Sequence, residues 1–182
     1  MRSDLPAKAV DHVVIDGNVA LKAALLEDGF GAWSAVRLRA PTLIWSETAS
    51  GASQLHWRGE INADQAVGAL ERLLAAPIDV VPSRELVLDA LDLARKFGWA
   101  KAYDAEYVAL AKRLAIPLLT IDGRLATRVR DYVEVLTPAE LKETLRAQGA
   151  RDNDAFKSQL GSMPDVGTDD DFVVDRDLPR GA

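Results

Sequence analysis

The chain has no cysteine and only two histidines among its 182 residues. A disulfide framework and cysteine-ligated zinc are therefore excluded, and a reducing compartment fits. His12 and His56 have no second imidazole at metal-ligand spacing, so both read as structural or exposed. No apolar run is long enough to span a bilayer. The segment from Met1 to Asp11 carries Arg2 and Lys8 but no apolar stretch behind them, which speaks against a cleaved signal peptide. There is no internal repeat. The expectation is a cytoplasmic protein that does not cross a membrane, with 48% hydrophobic and 27% charged residues giving one domain a real core.

An excess of positive charge is missing as well: the net charge is -6. Residues 151–182 hold eight aspartates against Arg151, Lys157, Arg176 and Arg180, a net of -4, whereas residues 1–150 hold 18 basic and 20 acidic groups, a net of -2. Phosphate binding needs local Lys and Arg rather than a basic whole. Arg124, Arg128 and Arg130 supply such a group just after Asp122, although a solvated helix face explains any one of them equally well.

What is present is a set of four acids at element boundaries. Val13-Val14-Ile15-Asp16 and Leu118-Leu119-Thr120-Ile121-Asp122 are apolar runs stopping at a carboxylate. Glu47 and Asp104 stand where helices begin. Singly, each acid has a structural explanation: Glu47 and Asp104 would stabilise helix N-termini, and Asp16-Gly17 and Asp122-Gly123 would be turn dipeptides. Together they can converge, because ligands gather outside the carboxyl ends of strands in open parallel α/β sheets. Hard oxygen ligands select magnesium, with manganese as the second choice, and point to metal-dependent phosphodiester chemistry.

The rest of the chain alternates strands and helices, the pattern of a sheet covered on both faces. Helices are expected over Val19 to Glu27, from Glu47 to about Trp57 with Ser46 as cap, and after an Asn62-to-Gln65 capping box with Val67, Leu70, Leu73 and Leu74 at helical spacing. Others should follow Ser83, with Gly98 as the stop, and Asp104, with Tyr107, Leu110, Ala111 and Leu114 on one face. Thr137-Pro138-Ala139-Glu140 should start a last helix ending about Gln148. Strands are expected at Pro41 to Trp45, Asp79 to Val81 and Tyr132 to Leu136, besides the two that end in acids. Trp33, Trp45, Trp57 and Trp99 read as core.

From about Val13 to Leu141 the chain resembles a PIN-domain ribonuclease, specifically the toxin of a VapBC-type toxin-antitoxin pair. The resemblance rests on Val14-Ile15-Asp16, the stretch from Pro41 to Glu47, Tyr103-Asp104-Ala105-Glu106-Tyr107-Val108-Ala109-Leu110-Ala111, and Leu118-Leu119-Thr120-Ile121-Asp122, the third being the most specific. It implies a PIN-like α/β/α sandwich with a central, mainly parallel sheet over residues 13–148, after an extension of residues 1–12. It further implies a magnesium site made of Asp16, Glu47, Asp104 and Asp122 with Thr120 beside it, cleavage of single-stranded or loop RNA such as tRNA or rRNA, a cognate antitoxin and a homodimer. Asn18 departs from the serine or threonine common there and puts one minor polar contact in doubt. Lys101, Arg124 and Arg128 are the candidates for holding the RNA backbone.

Family toxins end near the helix that should finish around Gln148, yet residues 149–182 continue. With Phe156, Leu160, Met163 and Phe172 amid acids, this tail resembles the toxin-binding end of an antitoxin, and Arg176 or Arg180 would compete with metal at the carboxylates. A solvated acidic tail is the alternative. Two other readings stay open. A phosphatase of haloacid-dehalogenase type also begins with a strand ending in Asp, but it needs a second acid where Asn18 stands; a receiver domain needs paired acids near the first strand and a late lysine. A catalytically silent PIN-like scaffold would keep the fold without the chemistry.

Overall fold

The computed structural model describes residues 9–27 and 29–161, with side chains described as far as Asp154. The chain divides after Arg146, and the unit before that point carries the sheet. Five strands run in the order β3-β2-β1-β4-β5, all parallel: β1 His12–Ile15, β2 Arg37–Pro41, β3 Ile78–Val81, β4 Leu118–Leu119 and β5 Val135–Leu136. The helices are α1 Gly17–Ala24, α2 Ile44–Trp57, α3 Ala63–Ala75, α4 Arg84–Phe97, α5 Tyr103–Leu114, α6 Gly123–Val129 and α7 Pro138–Gly161. The α/β expectation holds, with a wholly parallel sheet.

β1 is the centre of the sheet and the place where the strand order reverses. Its Val13, Val14 and Ile15 have no solvent exposure, which is why they read as an unbroken apolar run rather than an alternation. Val13 and Ile15 enter a core with Ala20 of α1, Ile44 of α2, Leu73 of α3 and Leu141 of α7. Val14 faces the other core, with Leu86 of α4, Tyr107 and Leu110 of α5, and Val129 of α6. The successive side chains of β1 thus anchor helices on opposite faces.

The expected caps are in place where the side chains could reach. Asn62 and Gln65 form a reciprocal capping box at α3, and Thr137 and Glu140 form another at α7. Ser83 accepts from the backbone of Leu86 at the start of α4. Gly98 ends α4 in the left-handed conformation, φ 66°.

Several boundaries differ from the sequence reading. The second strand is Arg37–Pro41, not Pro41 to Trp45, because Leu38 and Ala40 supply the buried positions that charged Arg37 and Arg39 obscure. Helix α2 already begins at Ile44, and Ser46 does not cap it: its hydroxyl donates to the Leu43 carbonyl from inside the first turn. α1 stops at Ala24 rather than Glu27. On α3 the buried residues are Ala69 and Leu73, with Leu70 packed beside them, while Val67 and Leu74 are exposed. α7 runs through Gly149 to Gly161 instead of ending about Gln148. A glycine inside a helix costs roughly 1 kcal/mol relative to alanine but does not stop it, and the next proline is Pro164. Trp33 is core and Trp45 and Trp99 pack against it, but Trp57 is 86% exposed at the end of α2. His12 is half-buried and His56 exposed, as expected.

Candidate functional site

Asp16 follows the last residue of β1 and is the N-cap of α1; one carboxylate oxygen accepts from the Val19 N–H at 2.8 Å. The strand buries it to 4% exposure. The Thr120 hydroxyl donates to the same carboxylate, and the Asn18 N–H also points to it. Burial pushes the Asp16 carboxyl above its ordinary range despite these bonds, and the charge of Asp104 adds to the effect.

Thr120 directly follows β4 and is itself buried; its oxygen accepts from the Asp122 N–H at 3.0 Å. Asp122 caps α6, accepting from the Arg124 and Leu125 N–H groups at 2.8 and 3.0 Å. Because β1 and β4 pair directly, with Ile15 opposite Leu119, the turns after both strands open on one crevice. That crevice is the switch point of the sheet. Asp16 and Asp122, whose structural alternative is a turn dipeptide, are helix caps instead, and the cap bonds engage one oxygen of each carboxylate.

Glu47, in the first turn of α2, reaches this crevice from the side. A Cβ on Gly17 would lie 2.8 Å from its carboxyl carbon and from Oε2, so the glycine leaves the space that the Glu47 carboxylate occupies. The Tyr107 hydroxyl, from α5, donates to Glu47 Oε2 at 2.5 Å. Burial, then the charges of Asp16, Asp104 and Glu106, push the Glu47 carboxyl up, and the Tyr107 bond opposes them. The Tyr107 phenol is pushed up by burial and by Glu47 beside it. Asp104, at the start of α5, is pushed up by burial and by Asp122, and Lys101 counters this. Burial also raises Glu106.

The charges of Asp16, Glu47 and Asp104 act on one another, and Asp122 acts on Asp104. Among the described residues, however, no group of three His, Cys, Asp or Glu side chains is placed so that it could hold a metal ion without moving. The carboxylates repel one another, and several of their oxygens are already held by Val19, Tyr107 and the first turn of α6. An all-oxygen set with unmet negative charge fits a hard dication.

Lys101, Arg124 and Arg128 line an open cavity of about 400 Å³ together with Asp104, Asp122 and Trp99. Asn18 lines a neighbouring one with Glu47, Lys101 and Tyr103. The structure brings all of the candidates from Asp16 to Arg128 to this one end of the sheet. Of the tail candidates, Phe156 and Leu160 fall within α7 but their side chains lie outside the described residues, as do Met163, Phe172, Arg176 and Arg180 altogether. Sequence reasoning missed Gly17 and Tyr107. The first looked like a turn glycine and the second like part of the apolar stripe of α5.

The PIN domain family matches residues 13–131. Ribonuclease VapC9 of Mycobacterium tuberculosis is 36% identical over 116 residues, covering 63% of this chain and 88% of its own. Ribonuclease VapC3 of Pyrobaculum aerophilum is 40% identical over 83 residues, 44% of this chain and 60% of its own. A crystal structure of another protein from Pyrobaculum aerophilum superposes with TM-score 0.61 at 22% identity, over 77% of this chain and 99% of that one, a likeness of fold.

Proposed function

Since the chain belongs to the PIN-domain family, and within it to the VapC ribonucleases, we propose that it is a metal-dependent endoribonuclease and the toxin of a toxin-antitoxin pair. The observation that supports the proposal is that Asp16, Glu47 and Asp104 repel one another, with Asp122 beside Asp104, at the end of the sheet where β1 and β4 stop. These four acids would hold magnesium, or manganese in its place. Bound there, such an ion lowers the pKa of a water and offsets the charge developing on the leaving oxygen.

The protein's own part is positioning. Thr120 and the α1 backbone fix Asp16, and Tyr107 fixes Glu47 from the opposite side. Lys101, Arg124 and Arg128 would hold phosphates of single-stranded or loop RNA, tRNA or rRNA among them, beside Asp104 and Asp122. No side chain is needed as a covalent nucleophile. A cognate antitoxin, a homodimer and a cytoplasmic location complete the proposal, and the tail from Arg151 would act as an antitoxin-like inhibitor of the same site.

The test is cleavage of total RNA by the full chain in magnesium, in manganese and in EDTA, alongside Asp16→Asn and Asp104→Asn. Cleavage should require the metal, and each substitution should lower the rate by orders of magnitude while the fold melts normally. Undiminished cleavage by both variants would sink the site assignment. No cleavage under any condition, with the tail removed as well, would leave the silent scaffold.

A further inference from the structure

Three aromatic rings lead away from the acid cluster. Phe97 stacks on Trp99 with centroids 5.1 Å apart and meets Tyr132 edge-on at 5.6 Å. The Trp99 end of this row lines the cavity that holds Asp104 and Asp122. The Tyr132 end lines a different cavity, of about 450 Å³, between α4 and α5, together with Lys96, Lys112 and Arg113. α5 connects the two places, with Asp104 in its first turn and Lys112 in its last.

The second cavity has an unusual charge arrangement. Lys96 Nζ lies 4.6 Å from the centre of the Tyr132 ring and Lys112 Nζ lies 4.1 Å from it, so the two ammonium groups are under 9 Å apart. Lys112 also donates a hydrogen bond to the Tyr132 hydroxyl. At physiological ionic strength the screening length is about 8 Å, so the two charges still repel. The acids of this cavity face other cations: Asp89 is 3.8 Å from Arg113, and Asp92 is 3.9 Å from Arg95. Among the described residues no carboxylate is within ion-pairing distance of either lysine. Two cations gathered on one ring, with their neighbouring acids engaged elsewhere, make a place for an added anion.

Paired cations beside a half-buried ring are elements of a single-strand nucleic-acid track, which combines charge along the backbone with aromatic surfaces. We infer that Lys96, Lys112 and Tyr132 form a second RNA contact, gripping a phosphodiester of the same strand whose scissile bond lies at the acid cluster. This contact rests on the ribonuclease reading above, and it lies at the far end of α5 from the proposed metal ligands.

The test is binding of the full chain to single-stranded RNA in EDTA, where cleavage does not interfere, read by fluorescence anisotropy over a salt series. The probes are a long RNA of mixed sequence and a trinucleotide too short to reach both places. For the long RNA, Lys96→Ala with Lys112→Ala should lower affinity roughly tenfold and reduce the slope of log K against log salt by about 0.7, the share of one phosphate. Trinucleotide affinity should not change, and arginine at both positions should restore long-RNA binding. Unchanged affinity and slope for the long RNA would overturn the inference, as would an equal loss for the trinucleotide. An acidic peptide as the natural occupant would give the first of these results. Cleavage of the long RNA by the unsubstituted chain in magnesium separates the two readings. If cleavage proceeds and the double variant binds normally, only the second contact fails; if neither the unsubstituted full chain nor the same chain without its tail binds or cleaves RNA, both fail.

Discussion

Tyr107 shows how one hydroxyl can serve both core and site. Its ring is buried in the core between the sheet and α4 to α6, while its O–H orients Glu47. Tyr107→Phe keeps the ring and removes the bond. Hydrogen bonds to charged groups contribute about 1.5–3 kcal/mol to stability, so some fall in melting temperature is expected. The bond also positions a proposed ligand, so cleavage should fall roughly a hundredfold; unchanged cleavage by a variant that melts lower would mean the hydroxyl only serves packing. Gly17 gives a complementary prediction. A methyl group at Gly17 meets the Glu47 carboxylate, so Gly17→Ala should lower cleavage by displacing that side chain, and the smaller Glu47→Asp in the same chain should recover part of it. At this scale the sequence was uneven. Asp16 and Asp122 were legible because buried strands stop there. Tyr107 was not, because its partner is 60 positions away and its spacing matches an ordinary apolar stripe.

At the scale of elements, the helix ends were the readable part. Gly98 after α4 and the capping boxes of α3 and α7 follow from local chemistry that tertiary contacts did not overrule. β2 was misplaced because its buried residues alternate with arginines, and α7 was cut short because a lone Gly149 was read as a terminus. The two left-handed helix ends make a matched prediction. Gly98→Ala forces a Cβ into φ 66° and should destabilise by about 1 kcal/mol. Ala115 already adopts φ 52° after α5, and Ala115→Gly should relieve that strain, leaving stability equal or higher. Chemical denaturation of both variants checks the opposite signs, and a loss at Ala115→Gly would show that the alanine methyl contributes more than its backbone costs.

For the whole molecule, the acid cluster sets how stability depends on pH. Asp16, Glu47, Asp104 and Glu106 all have folded-state values raised above ordinary carboxylates. Between the ordinary and the raised values, the folded chain holds protons that the unfolded chain has released. Stability without metal must therefore fall as pH rises through that window, the reverse of the usual acid unfolding. Asp16→Asn should flatten this dependence and raise the melting temperature at neutral pH in EDTA, and magnesium should raise that of the parent chain. A parent chain whose metal-free melting temperature climbs steadily through the window would contradict the repulsion. The proposed tail inhibition is tested at this scale too. A chain ending at Gly161 keeps α7 whole and removes Met163, Phe172, Arg176 and Arg180, and it should cleave faster than the full chain at saturating magnesium; equal rates would take residues 162–182 out of the inhibitory reading.

The pairing of β1 with β4 has one more consequence, and it concerns time. Val14 lies opposite Leu118, so the strand that presents Asp16 gains this neighbour only when more than a hundred further residues have been made. Synthesis adds about 5–20 residues each second, and pairings so distant in sequence form late. A chain still being translated thus carries Asp16 and Glu47 for several seconds before Asp104 and Asp122 exist to join them. For an enzyme that, on the proposed reading, would cut the cell's own RNA, the ribosome making it is the first RNA within reach, and the topology keeps the blade unassembled until Leu118 to Asp122 have been made.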